Sequence, residues 1–323
     1  MVKTEIIQKI LREYEYKKGI AEQKRLLSIE EAYKKCPALL ELDKEINRVG
    51  YEAMHSILDK SKSSESAKKE MDDKMAFLLS KKENLLKENN ISSDYNKTKY
   101  ECIECSDTGY TPDSKKCSCF QKRISELFYE ESQFGNMIDG ADFKNFDLSY
   151  YESSDKESRE IIEDALIYAK DFCQNFDNIN YNLFFYGRTG LGKTFLSSII
   201  AKNLMDKGKN VSYVRATRMF TLYDDYKFKD YSLKPLIDEL YNCDLLVIDD
   251  LGTEFLSKTS LSFLFDLIND RLINGKKIII NTNVDIKEFS NNYTVRLTSR
   301  IYDCFKIFRF SGDDIRIKKL IQG

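Results

Sequence analysis

Apolar residues return at helical spacing along the first 98 residues. Ile6, Ile7, Ile10, Leu11 and Tyr14 form one stripe, and Met71, Met75, Leu78 and Leu85 form another, on a background dense in Lys and Glu. Positions three and four apart share a helix face, so each stripe predicts an amphipathic helix with one buried side. The polar run Ser61 to Ser66 reads as a break between helices. Beyond about residue 156 the pattern changes. Short apolar runs at Leu183–Tyr186, Val211–Val214, Leu245–Ile248, Ile278–Ile280 and Ile307–Phe310 alternate with stretches of helical periodicity. Unbroken apolar runs suit strands covered on both faces, and their alternation with helices predicts a mostly parallel sheet of the α/β class. Four regions result: a helical segment over 1–98, a cysteine-rich segment over 99–120, an aromatic and acidic linker over 121–155, and an α/β core over 156–323.

Composition narrows the class. Of 323 residues, 42% are hydrophobic and 32% charged, a globular profile, and no run approaches the ~20 apolar residues of a membrane span. The opening Met1-Val2-Lys3-Thr4-Glu5 does not lead into an export signal, so a cytoplasmic location is expected. Lys and Arg number 51 against 53 Asp and Glu, so any nucleic-acid contact must come from a local patch rather than from the whole-chain field. Eight cysteines in such a chain predict thiols, some of them on a metal, rather than a disulfide scaffold.

The strongest chemical signal is Gly187-Arg188-Thr189-Gly190-Leu191-Gly192-Lys193-Thr194, between the strand-like Leu183–Tyr186 and the helical Phe195–Met205. It fits G-x-x-x-x-G-K-[ST] in the strand-to-helix context that pattern requires. Its backbone N–H groups and the helix N-terminus would surround the phosphates of ATP or ADP. Lys193 would reach the β- and γ-phosphates and the Thr194 hydroxyl would bind Mg²⁺. Leu245-Leu246-Val247-Ile248-Asp249-Asp250 ends a buried-strand run in two acids. Acids at that end of a strand face the ligand crevice, so Asp249 would hold Mg²⁺ through water and Asp250 would orient or deprotonate the attacking water. A third strand ends in Asn281-Thr282-Asn283, able to place an amide beside the γ-phosphate; Arg296, Arg300 and Arg316 follow, guanidinium groups suited to transferring phosphoryl charge.

This series resembles, in order and spacing, the AAA+ ATPase core of bacterial DnaC/DnaI-type replicative-helicase loaders. The resemblance covers 156–323 and implies a P-loop core with a five-stranded parallel sheet. It also implies Asn283 as first sensor, Arg300 as an arginine finger acting on a neighbouring subunit, and Arg316 as second sensor. Arg296 competes with Arg300 for the finger and Asn281 with Asn283 for the sensor. The common AAA+ Asp-Glu pair is here Asp249-Asp250; the shorter acid reaches less far, which implies slow turnover.

Cys102-x-x-Cys105 and Cys117-x-Cys119 offer four thiolates, a set suited to tetrahedral Zn²⁺. The segment 102–110 also resembles the cysteine-rich stretch between adaptor and ATPase in the loaders, whose N-terminal region binds helicase. Cys36, Cys173, Cys243 and Cys304 are scattered and read as core or incidental, and His55, the single histidine, as structural. Lys and Arg interleave with aromatics from Arg215 to Tyr231, a pattern that suits single-stranded DNA, though Asp224, Asp225 and Asp230 dilute it. The combined expectation is an ATP-dependent loader that delivers a replicative helicase onto single-stranded DNA and self-associates on ATP and DNA, without a membrane. A transposition helper of the IstB type and a zinc-bearing nucleotide clamp without turnover are the alternatives.

Overall fold

The computed structural model describes residues 4–58, 65–131, 141–151, 155–252 and 257–322. Side chains are described over a slightly narrower set, which excludes Ile6 and Ile7; most of the expected break at Ser61 to Ser66 also lies outside the described residues. Contacts divide the chain into one compact unit of residues 11–115 and another of residues 1–10 with 116–323.

In the first unit, α1 (Thr4–Lys35), α2 (Pro37–Leu58) and α3 (Glu65–Glu88) supply the helices. Pro37 opens α2, where its missing N–H costs nothing and its fixed φ suits a first turn. Leu42, Val49 and Leu78 pack with Ile46, Met75 and Leu85, so the Met75–Leu78–Leu85 stripe faces inward as its spacing predicts. One polar hub pins all three helices. The Asp43 carboxylate on α2 accepts from Tyr33 of α1 at 3.0 Å, pairs with Lys82 of α3 at 2.7 Å, and accepts from Tyr95 beyond α3. Burial and the neighbouring carboxylate push the Tyr33 phenol up to about 12, so it stays a donor.

In the second unit, β1 (Asn182–Tyr186), β2 (Val211–Arg215), β3 (Leu245–Leu251), β4 (Lys277–Thr282) and β5 (Phe305–Arg309) are the strands among the described residues. They form one parallel sheet in the order β2-β3-β4-β1-β5, the five-stranded parallel α/β architecture expected. All residues of β1, β3 and β4 but one in each (Tyr186, Asp250 and Lys277) are buried, so both faces of the sheet are covered. The helices are α4 (Ser118–Glu131), α5 (Lys156–Gln174), α6 (Lys193–Asp206), α7 (Ala216–Phe228), α8 (Lys234–Asn242), α9 (Lys258–Ile273), α10 (Ile286–Asn292), α11 (Val295–Cys304) and α12 (Ile315–Gln322).

The stretch read as a linker, 121–155, is not uniformly a tether. Its start belongs to α4, which packs on β2 and α8. Phe120, Ile124 and Leu127 are buried at helical spacing, and Ser125 Oγ stands 2.6 Å from Asn210 Oδ1 and 3.0 Å from Glu239 Oε1. Farther along, Phe146 and Tyr151 join the core cluster of the sheet; residues 132–140 and 152–154 lie outside the described set. Cys36, Cys173 and Cys243 are buried as expected, Cys304 partly so, and His55 is exposed against the Tyr51 ring.

Arg271 on α9 sets the entry ends of two strands. Fully buried, its guanidinium donates to the carbonyls of Leu240, Tyr241, Asp244 and Lys277 and reaches Cys243 Sγ at 3.2 Å. It ties the end of α8 to the starts of β3 and β4, whose far ends carry the acids and asparagines. Arg271→Met keeps the bulk but strands these carbonyls, a loss of about 3 kcal/mol. For a unit of this size the melting temperature should fall by roughly 6–12 °C; a fall under about 2 °C in calorimetry would contradict the staple.

Candidate nucleotide site and cysteine cluster

Three strand ends build the site. In the parallel sheet, β1 runs into the Gly187–Thr194 loop, its neighbour β4 runs into Asn283, and the next strand, β3, ends in Asp249 and Asp250. The loop turns through left-handed backbone at Gly190 (φ +79°) and Gly192 (φ +88°). A Cβ at Gly190 would strike the Asp314 carboxylate, and one at Gly192 the Tyr151 hydroxyl, so both positions require glycine for space as well as for φ. Two further contacts hold the loop from outside. Tyr151 donates to Leu191 O at 2.7 Å, and the Ile315 N–H at the start of α12 donates to Gly190 O at 3.0 Å.

Lys193 opens α6 and is buried. Its ammonium donates to Gly187 O at 2.6 Å, Arg188 O at 2.7 Å and Asn283 Oδ1 at 2.8 Å. Burial pulls its pKa down to about 8; Asp249 and Asp250 oppose that, and Arg316 adds to it. Arg316, in the first turn of α12, therefore acts on the same crevice.

The acids take unlike positions because β3 is irregular. Its register with β4 shifts between Ile248 and Leu251, and Asp250 sits at φ +55°, a left-handed conformation that strains a non-glycine residue. A bulge of this kind re-aims side chains that would otherwise alternate across the sheet. Asp249 accepts from Thr194 Oγ1 at 3.1 Å and from Asn281 Nδ2 at 2.6 Å, while Asp250 accepts from Asn283 Nδ2 at 3.1 Å. Burial pushes Asp249 up to about 6; the Asn281 bond holds it back, Asp250 raises it further, and Thr194 and Arg215 lower it.

The geometry separates the two asparagines. Asn283 bridges Lys193 to Asp250 in the crevice, whereas Asn281 is buried below Asp249. Arg296 and Arg300 lie one turn apart on the exposed face of α11, whose other side buries Leu297, Thr298 and Ile301; neither makes a hydrogen bond or ion pair among the described residues. The single chain thus does not bring either arginine to its own phosphate loop. The sequence pattern singles out neither Ser197 nor Tyr151, whereas Asp314 lies in the Gly312–Arg316 stretch that ends in the expected second sensor. Of the first two, only Ser197 carries any signal, a polar residue inside an apolar helical run.

Thr194 and Asp249 offer a hydroxyl and one carboxylate, the hard oxygen set that Mg²⁺ takes beside nucleotide phosphates. The cysteine cluster offers soft donors instead. The Sγ atoms of Cys102, Cys105, Cys117 and Cys119 all lie within 4.8 Å of one another. A tetrahedral zinc with Zn–S of about 2.3 Å needs sulfurs about 3.8 Å apart, so the set fits with small adjustment. Asp107, buried, shapes the first loop by accepting from the Glu101 and Cys102 N–H groups at 2.9 and 2.8 Å. Protein purified without chelators should hold about one Zn²⁺ per chain, and Cys102→Ser with Cys105→Ser should remove it. Metal analysis finding none in the native protein would refute the site.

Comparison with known proteins agrees with this geometry. The model of the family "IstB-like ATP binding protein" matches residues 130–319, more than half of the chain. The replicative helicase loader DnaC of Escherichia coli (strain K12) is 28% identical over 138 residues, which cover 42% of this chain and 56% of that protein. The chain thus matches little more than half the length of that relative. The chromosomal replication initiator protein DnaA of Aliarcobacter butzleri (strain RM4018) is 34% identical over 130 residues, 39% of this chain and 28% of that protein. Among solved structures, a DnaC helicase loader aligns with a TM-score of 0.42 and 26% identity over 52% of this chain and 98% of that one. With the phosphate loop, the paired acids and the asparagine at the adjoining strand end all inside the matched span, the chain belongs to the IstB-like ATP-binding protein family.

Proposed function

We propose that this protein is a slow ATPase that loads a replicative DNA helicase onto single-stranded DNA. The carrying observation is the convergence of Lys193, Asn283 and Asp250 in one hydrogen-bonded line beside the Thr194–Asp249 pair. That line links the group that grips the γ-phosphate to the group that handles the attacking water. Each residue has one task. Gly187, Arg188, Thr189, Gly190, Leu191 and Gly192 wrap the phosphates with backbone N–H groups, and Lys193 supplies the cation. Thr194 and Asp249 hold Mg²⁺, which neutralises phosphate charge when bound. Asp250 orients water, Asn283 reports on the γ-phosphate, and Arg316 leans on it from α12. Arg300, exposed on α11, completes the site of a neighbouring copy, so the active form is a homo-oligomer assembled on ATP and DNA.

A local patch favours a single strand as the DNA partner. Phe228 and Tyr231 are each 67% exposed, Lys227 lies 5.7 Å from the Tyr223 ring and 5.6 Å from that of Phe228, and Lys234 lies 5.6 Å from that of Tyr231. Aromatic faces beside cations stack unpaired bases and neutralise their phosphates. In the unit of residues 11–115, Tyr16, Leu26, Leu27, Tyr51, Met54 and Phe77 are exposed, apolar surface on which a helicase can dock. No helix among the described residues is long and apolar enough to cross a membrane, and the proposed site of action is the cytoplasm.

The test is ATP turnover with single-stranded DNA and a replicative helicase, alongside helicase delivery onto single-stranded circles. Turnover should be slow alone and faster with DNA, and delivery should need ATP. Arg300→Ala should cut turnover by up to about 10³-fold while nucleotide affinity stays within about twofold, because a finger stabilises charge in the transition state. Binding without turnover under every condition would leave a nucleotide clamp, and a response to duplex DNA alone would favour a transposition helper.

A further inference from the structure

Beneath the acids runs a buried chain of hydrogen bonds that the proposed chemistry does not use. Ser197 Oγ, on the second turn of α6, donates to Asn281 Oδ1 at 2.8 Å, and Asn281 Nδ2 donates to Asp249 Oδ1 at 2.6 Å. Both side chains are buried, Ser197 fully and Asn281 to within 1%. Asp249 Oδ1 also receives the Thr194 hydroxyl, at 3.1 Å, whereas Oδ2 has that hydroxyl only at 3.4 Å. One carboxylate oxygen, Oδ1, is thus fixed by both the Asn281 amide and the Thr194 hydroxyl, while Oδ2 has only the longer approach of that hydroxyl. The carboxylate fixes the orientation of the amide, because turning it over would set one acceptor, the Asn281 oxygen, against another.

We infer that Asn281, held by Ser197, is a positioning residue that orients the Asp249 carboxylate toward the Mg²⁺ of the bound nucleotide. The inference rests on the nucleotide-site reading and adds two residues to it. Polar groups that hold a ligating carboxylate fix its direction, and their loss typically weakens metal affinity by about 10–100-fold without touching the ligand itself. Ser197 and Thr194 both stand on α6, so one helix acts on Asp249 Oδ1 twice, directly through the Thr194 hydroxyl and, by way of Asn281, through the Ser197 hydroxyl. Asn283 has no part in this. It contacts Lys193 and Asp250 and so addresses the γ-phosphate end of the site.

The test measures binding of a fluorescent ADP to the full chain, first in EDTA and then across a magnesium titration. Asn281→Leu should bind ADP in EDTA within about twofold of the native protein, yet need about tenfold or more Mg²⁺ to reach half of the metal-dependent gain. Ser197→Ala should shift the Mg²⁺ requirement the same way by a smaller factor. The Ser197→Ala/Asn281→Leu double variant removes the Ser197 hydroxyl that Asn281→Leu alone would strand, and Asp249 keeps its Thr194 donor. It should melt near the native temperature and keep the magnesium defect. A Mg²⁺ requirement within about twofold of native in both Asn281→Leu and the double variant would overturn the inference. Failure of the native chain to bind ADP at all would instead overturn the nucleotide reading on which it stands.

Discussion

A buried ammonium must be surrounded by acceptors and negative charge, and Lys193 sets that demand at the centre of the nucleotide-site unit. Its three hydrogen bonds come from two loop carbonyls and from Asn283, and two carboxylates face it. Burial weakens its hold on the proton, and the two acids oppose that effect. The phosphate loop, the end of β4 and the end of β3 therefore have to meet at one point. The strand order, which seats β4 between β1 and β3, brings them there without a long connection.

The rest of the unit fixes those three ends. Arg271 gathers the starts of β3 and β4, and the bulge at Asp249–Asp250 divides the acids, Asp249 toward Thr194 and Asn281 and Asp250 toward Asn283. Tyr151 and α12 grip the loop from outside, which links its shape to segments on either side of the core in sequence. A nucleotide that pulls Lys193 from Asn283 onto phosphate would release Asn283 and, through it, Asp250. In this account the buried amine couples nucleotide binding to the arrangement of the groups that handle water.

Much of this was legible in the sequence where the chemistry is local. A glycine loop between a strand and a helix, acids after an apolar run and cysteines in two close pairs each leave a mark at fixed spacing. The five apolar runs marked the strands because a sheet covered on both faces needs unbroken hydrophobic stretches. What escaped depends on distance in space. Asn281 and Asn283 are two residues apart, and an extended run would point both the same way, so pattern alone could not separate them; β4 in fact stops at Thr282. Only the β3 bulge and the depth of Ser197 decide which one lies under Asp249. The helix Ser118–Glu131 was missed within an expected linker, although Phe120, Ile124 and Leu127 mark its buried stripe. Polar neighbours and the adjoining cysteines masked the period. The arginines of α11 cannot be assigned from one chain, because their proposed target lies on another copy.

On the proposed reading, Lys193 is the cation on which nucleotide binding depends. Calorimetric titration of ATP and ADP with Mg²⁺ into the native chain and into Lys193→Ala tests it directly. The account predicts saturable binding by the native protein and a loss of about 100-fold or more in ATP affinity for Lys193→Ala, with the variant still folded. Equal affinities in two folded proteins would contradict it.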